Sequence, residues 1–377
     1  MAWSAPRYSR RQVDAAAESL IHPPSVFDSD NIAAIYGEAG LVLHVVNNWR
    51  AAHNWPLYSI RKTLENRAKR IDPLSVTAQR LKRLPSIRAK LQREQHRHLK
   101  LTQIEDIGGC RAVVATAMDA LALAKTYTAR GLLSELYRER DYVARPKPDG
   151  YRSIHLVYKY RSDSERYEAF NNLRIEIQIR SQPQHAWATA LETVETFARI
   201  PLRATSGSML LRPAKYITLW KRLFVLMSSL IANLEGLSLV PGAPSDMTEL
   251  VDELGRLDSE LRAVNCLEAW SGAVDSLPIM STTPGAHWFL LQLDPEKKWI
   301  KVDSFIEKDS LEAFEKYISA EEPERDAPST NVVLVSADSI STLKRAYPNY
   351  WADTNMFAQI LQGAIKGEYV KSRTVRS

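Results

Sequence analysis

A mixed α/β fold, with helical extensions and a small C-terminal α/β module, is what this 377-residue sequence predicts. Three observations carry the expectation. Apolar residues recur at helical spacing over residues 7–72 and again over 182–275; alternating or β-branched runs cluster between residues 110 and 181; and hairpin-like and strand-like runs return after residue 285. At roughly 100 to 200 residues per domain, the length suits two or three domains. We expect a first domain over 1–200, a helical connector over 201–275 and a C-terminal domain over 276–377.

Taken in order, "SRRQVDAAAESLI" opens on a capping Ser9, and "AAIYGEAGLVLHVVNNWRAAH" follows the capping candidates Asp28, Ser29 and Asp30. "PLYSIRKTLENRAKRID" continues in helical style. "DPLSVTAQRLKRLPSIRAKLQRE" predicts two short helical pieces broken at Pro85, which puts Ser86 near a helix start, where backbone N–H groups favour an anion. Then the period changes. "CRAVVATA" is a β-rich run, "MDALALAKTYTARG" a helix stopped at Gly131, and "SIHLVYKY" a strand. "LRIEIQIRS" alternates so strictly that its faces separate: Ile175, Ile177 and Ile179 on one, Arg174, Glu176, Gln178 and Arg180 on the other. That polar face suits either the solvent side of an edge strand or a site. Helices are expected from "QPQHAW" to about residue 275, with breaks at Pro201, Gly236 and "VPGAPSD". After them come a hairpin turning at Asp294, Pro295 and Glu296, a helix over 309–319, an acidic loop "AEEPERDAPST", a strand "NVVLVSA" and a helix after Pro348.

Composition narrows the function classes. Neither a signal peptide nor a run of about 18 apolar residues is evident, and "LWKRLFVLMSSLIANLEGL", interrupted by Lys221, Arg222 and Glu235, reads as a buried helix. A soluble, cytoplasmic protein without membrane attachment is expected. Two cysteines, Cys110 and Cys266, lie apart from any partner motif and argue against a disulfide framework or a structural zinc site. The net charge of +6 is unevenly spread: residues 80–100 carry Arg80, Lys82, Arg83, Arg88, Lys90, Arg93, Arg97 and Lys100 against Glu94. Such a stretch is a solvated helix face or a surface for polyphosphate or nucleic acid.

The polar residues of the central segment make one inventory: Arg80, Lys82, Ser86 and Lys90; Asp106 and Arg111; Lys147, Tyr151, Ser153 and His155; Glu176, Gln178 and Arg180. Many cations suit a triphosphate whose charge redistributes during transfer. Two carboxylates can hold Mg²⁺ while phosphate oxygens and water complete its shell. A tyrosine after glycine can offer a ring for base stacking. There is neither a GxxxxGK[ST] loop nor a kinase signature.

In "RLKRLPSIRAK", "DIGGCRAVV", "DYVARPKPDGYRSIH" and "EIQIRSQPQHAW", taken in this order, residues 40–200 resemble the RelA/SpoT-type pyrophosphokinase, or alarmone synthetase, domain. The resemblance implies a nucleotidyltransferase-like mixed sheet flanked by helices, and transfer of the β,γ-pyrophosphate of ATP to a ribose 3′-hydroxyl. It places Arg80 and Arg111 about the adenine and Lys82, Ser86 and Lys90 on the ATP phosphates. Asp106 would bind Mg²⁺, Glu176 would be general base or share the metal, and Tyr151 would stack on the acceptor base. Lys147, His155, Gln178 and Arg180 would contact phosphate or acceptor. Ser181 stands where the family usually has Thr, and Gly-Gly-Cys replaces a more apolar turn. No His-Asp dipeptide of a hydrolase half is present.

The tail, with "AYPNYW", is similar to fused toxic synthetases of the CapRel type. That resemblance implies an antitoxin-like C-terminal domain holding Tyr347 and Tyr350 over the ATP pocket until a phage protein, such as a capsid protein, binds. It further implies the 3′-CCA end of tRNA as acceptor, arrest of translation in anti-phage defence, and a monomer. The alternatives are a (p)ppGpp synthetase acting on GDP or GTP in the stringent response, a catalytically idle binding protein, and, for the two tyrosines, simple packing of a terminal helix.

Overall fold

The computed structural model describes residues 3–22, 32–93, 98–128, 134–203, 213–275, 283–294, 297, 299–321, 331–336 and 340–369. The expected boundary signals at Asp28–Asp30, Gly131, Pro295, Glu296 and the acidic loop from residue 322 on lie outside them, as do Glu94 and Arg97, whereas Ala320 and Glu321 extend the expected helix over 309–319.

Three helices lead: α1 (Arg10–Ile21), α2 (Ile32–Ala52) and α3 (Asn54–Ile71). Ser9 caps α1 in a reciprocal box with Gln12, as its position predicts. The next elements are β1 (Val76–Leu81), α4 (Leu84–Leu91), β2 (Gly108–Val114), α5 (Ala117–Thr128), β3 (Glu135–Asp141), β4 (Ile154–Lys159) and β5 (Arg174–Ser181). Helices α6 (Gln182–Phe197), α7 (Ala214–Leu234), α8 (Met247–Leu261) and α9 (Ala263–Asp275) follow. The C-terminal segment supplies β6 (Ala286–Asp294), β7 (Trp299–Ile306), α10 (Ser310–Glu321), β8 (Asn331–Ser336), α11 (Ile340–Ala346) and α12 (Asn355–Ile365).

Two elements depart from the helical expectation for 73–93. Val76–Leu81 is a strand, because its alternate residues serve two buried faces: Val76 and Ala78 join one core and Leu81 another. Pro85 does not break a helix; it occupies the first turn of α4, where its missing N–H is harmless. Likewise Gly108 and Gly109 lie inside β2 rather than in a turn, and a Cβ on Gly108 would stand 2.8 Å from the Ile175 side chain.

Among the described residues eight strands form one sheet in the order β3-β4-β5-β2-β1-β8-β6-β7, in which β2 and β5 run parallel and the other neighbours antiparallel. The strand "LRIEIQIRS" is therefore central, and its polar face is a covered one. Helices α3 and α5 pack beneath the first half of the sheet over Cys110, Ile175, Ile177 and Ile179, and α10 packs beneath the second half. On the other face α6 runs over β2 and β5 and joins α7, α8, α9 and α12 in a second core around Trp187, Trp220 and Phe357. Helix α7 is long and apolar enough to cross a membrane by length and composition, unlike the expectation for this sequence, yet most of its apolar stretch is buried in that core.

The turn before β4 is fixed from α7. Gly150 has φ +91°, and a Cβ there would meet Ser228 at 2.9 Å and the Phe224 carbonyl at 3.2 Å. Ser228 Oγ donates to the Gly150 carbonyl at 2.6 Å. Gly150→Ala, which adds left-handed strain of about 1–2 kcal/mol and a buried clash, is expected to destabilise by about 2–4 kcal/mol. Denaturant unfolding of the full chain measures this, with Gly255→Ala, at a helical position with open space, as the near-neutral control.

Candidate functional site

Strand pairing decides which side chains share the face opposite α3. Arg80 pairs with Gly109, Gly109 with Glu176, Arg111 with Gln178, and Gln178 with His155. Paired residues point the same way, so Arg80, Arg111, Glu176, Gln178, Arg180 and His155 rise from one surface across four strands. Beside them α4 brings Ser86 and Lys90. A cavity of about 90 Å³ lies on this surface. Four cations, Arg80, Lys82, Arg83 and Arg111, line it against two carboxylates, Asp106 and Glu176; Ser86, Gln178 and Tyr347 line it too.

Asp106 is held by two ammonium groups. Lys82 Nζ donates to Oδ2 at 2.7 Å and Lys90 Nζ to Oδ1 at 2.8 Å. Burial pushes the Asp106 carboxyl up, but the two lysines outweigh it and hold the group well below the usual carboxylate range.

Around Glu176 the hydrogen bonds close into a ring. His155 Nδ1 lies 2.9 Å from Glu176 Oε1, and His155 Nε2 lies 2.7 Å from the Tyr151 hydroxyl. Arg180 Nη2 donates to that hydroxyl at 2.6 Å and to Gln178 Oε1 at 3.4 Å, and Gln178 Nε2 donates back to Glu176 Oε2 at 2.7 Å. Because Nδ1 faces a carboxylate it carries a proton; Nε2 and the phenol then share the next one. Burial pushes the Tyr151 phenol up, yet Arg180 and His155 bring it down to about 7. Burial depresses His155, but Tyr151 and Glu176 raise it overall, and His155 in turn holds Glu176 low against the effect of burial.

Lys147 stands on the far side of this ring, its ammonium 4.7 Å from the Tyr142 ring centre and 4.8 Å from that of Tyr151. Cation–π attraction holds it there. Tyr142 also sets its edge against His155. Asp141 Oδ1 shapes the loop by accepting from the Val143 and Ala144 amides, and Arg152 pins it through the Val143 and Ser238 carbonyls.

The arginines are under-compensated. Arg111 donates at 3.5 Å to the Ala346 carbonyl, while its Nε and that of Arg180 are buried without a hydrogen-bond partner. Burial, then Arg180 and Arg80, lower Arg111 to about 10. Glu192, missed in the sequence because a glutamate in an amphipathic helix signals nothing, is the acidic neighbour that these three guanidinium groups share. Buried cations of this kind call for an anion. Tyr347 is buried over Arg80 and Arg111, its phenol raised to about 12 by burial against their pull. Tyr350 does not line the cavity; it packs with Tyr347 and Trp351 on Phe289, Val333 and Val335.

As a site for Mg²⁺, the donor set is chemically apt: two carboxylates face one cation-lined cavity, the usual protein share when phosphates and water supply the other ligands. Among the described residues no cluster of three metal-ligating side chains exists, so such an ion would depend on the substrate's oxygens.

Residues 79–194 match the family described as the region found in RelA/SpoT proteins. The GTP pyrophosphokinase YjbM of Bacillus subtilis is 30% identical over 117 residues, 31% of this chain and 54% of that protein. The GTP pyrophosphokinase of Haemophilus influenzae is 32% identical over 111 residues, 28% of this chain and 12% of that protein. YwaC of B. subtilis, also a GTP pyrophosphokinase, is 29% identical over 122 residues, 31% of this chain and 56% of its own length. The chain thus spans about half the length of the two Bacillus relatives. Among solved structures, small alarmone synthetase 1 from B. subtilis bound to pppGpp superposes with TM-score 0.40 at 23% identity, over 49% of this chain and 90% of that one. The RelA/SpoT region contains every residue of the ring and both carboxylates, whereas Tyr347 lies beyond it.

Tyr151 gives the site a spectroscopic handle. Its ionisation, near pH 7 rather than about 10, stabilises the fold fully above the unfolded value and is lost as pH falls through about 7. Near-ultraviolet titration of tyrosinate is expected to show one early-ionising phenol, absent in Tyr151→Phe and moved back upward in Arg180→Gln.

Proposed function

We propose that this protein is a pyrophosphokinase that transfers the β,γ-pyrophosphate of ATP to the ribose 3′-hydroxyl of a guanine nucleotide, and that its C-terminal segment keeps the ATP slot closed. The observation that carries the chemistry is the Glu176 ring beside the Lys82–Asp106–Lys90 cluster, in one cavity of excess positive charge. The relatives' activity, GTP pyrophosphokinase, supports guanosine as the acceptor.

In this reading Glu176 takes the 3′-hydroxyl proton, the freed oxygen attacks the β-phosphorus, the bond from that phosphorus to the α-phosphate bridging oxygen breaks, and AMP departs. His155 and Gln178 fix the carboxylate so that one lone pair stays aimed at the hydroxyl, which converts orientation into rate. Arg80 and Arg111 hold the adenine between them, and Lys82, Ser86 and Lys90 take the phosphates. A magnesium ion held by Asp106 and Glu176 would neutralise developing phosphate charge. Lys147 yields its place on Tyr151 to the acceptor base and turns to its phosphates.

Closure rests on Tyr347, which lines the cavity together with Arg80, Lys82, Ser86 and Arg111, the residues assigned to ATP. The same placement favours a second reading, a toxin of the CapRel type that modifies the 3′ end of tRNA when a phage protein draws the tail away. The two share the donor and differ in the acceptor.

Labelled ATP offered with GDP or with deacylated tRNA separates them: label on the guanine nucleotide alone supports the first reading, label on tRNA alone the second. Glu176→Gln should lower kcat by about 10²- to 10⁴-fold with KM little changed; near-normal turnover would remove it as the base. Tyr347→Ala should raise basal transfer about tenfold or more, since 1.4 kcal/mol of bias toward the open form has that effect.

A further inference from the structure

A second contact of the C-terminal segment lies away from the cavity. Arg50, on α2, is completely buried. Its Nη2 donates to Glu321 Oε2 at 2.7 Å and to the Tyr317 hydroxyl at 2.8 Å, both on α10. Its Nη1 donates to Asn47 Oδ1 at 2.7 Å, and its Nε to the Lys82 carbonyl at 3.1 Å. The Glu321 side chain, 4% exposed, uses its other oxygen to accept from the Leu84 amide at the start of α4, at 3.1 Å, and from Tyr317 at 2.6 Å. Three separate parts of the chain meet in this one network: the N-terminal helices, the β1–α4 turn that carries Lys82 and Ser86, and the last residue of α10.

We infer that Arg50 and Glu321 form a buried latch, distinct from the Tyr347 plug, that ties the C-terminal segment to the turn bearing Lys82 and Ser86. The inference rests on the closed-tail reading above. A buried ion pair contributes little beyond an apolar pair of similar volume, but removing one partner strands the other without its counter-charge. Tail departure separates the pair and removes the carboxylate cap from α4, so the latch opposes release. It also makes release visible at the phosphate end of the site, through the Lys82 carbonyl and the Leu84 amide, as well as at the adenine end.

The test uses the full chain in a cycle of Arg50→Met, Glu321→Met and the double variant, with Tyr347→Ala as reference. Two readouts are taken: basal transfer from labelled ATP to GDP, and hydrogen exchange of the β8 and α10 amides. Each single variant is expected to raise exchange in β8 and α10, and basal transfer with it, by on the order of tenfold to a hundredfold; the double variant is expected to return close to the parent. Singles that leave both readouts at the parent level, while Tyr347→Ala raises them, overturn the latch and spare the plug. If Tyr347→Ala is also silent in both, closure itself falls. A double variant as open as the singles overturns the latch, and so does exchange that rises equally in β4 and β5, which reports loss of the fold rather than release.

Discussion

The antiparallel pairing of β8 with β1, through Gln79 with Ser336 and Arg80 with Val335, is the contact on which the arrangement of this molecule depends. Without it β1 would end a five-stranded sheet, with unpaired backbone along the strand that carries Arg80. With it, the sheet continues for three more strands, and their apolar upper face becomes a floor for Tyr347, Tyr350 and Trp351. Placement of Tyr347 beside Arg80 then follows from register. A shift of one residue along β1 would turn Val335 and Arg80 to opposite faces.

Charge organises what the sheet brings together. The cavity gathers arginines whose burial is unfavourable unless an anion is supplied, and the acidic group these arginines share is Glu192, with the Tyr347 ring at the cavity wall. The carboxylates are meanwhile saturated, Asp106 by lysines and Glu176 by histidine and glutamine. Under the proposed function, a triphosphate entering this site would offset the cations and compete for the lysines that now neutralise Asp106.

Much of this was legible in the residues. The strict alternation of Arg174 to Ser181 separated the faces of β5 correctly, Ser9 marked the start of α1, and turn residues from Asp294 marked the final hairpin. The strand Val76–Leu81 was hidden because its Thr, Gln and Arg interrupt the apolar alternation and several of its core partners, Phe289, Val333 and Val335 among them, lie more than 200 positions away. β3, rich in Glu and Arg, lacked an apolar face to announce it. Tyr142 and Glu192 were invisible for a different reason: their roles come from what tertiary packing sets beside them. The motif residues of the RelA/SpoT region could be brought together through the resemblance, but the hydrogen-bonded ring among them could not.

Gly150 and Arg152 bind the loop of Lys147 and Tyr151 to parts of the chain that the family match does not include. Ser228 closes on the Gly150 carbonyl, Arg152 reaches Ser228 and Ser238, and Trp187 donates to the Phe224 carbonyl just behind. Helix α7 and the turn after it are consequently part of what holds the loop of Lys147 and Tyr151 in place. A fragment ending at residue 194 would keep the motif residues and lose the mould in which one of their loops is cast, so the smallest working unit of this protein is larger than the stretch by which its kinship is recognised.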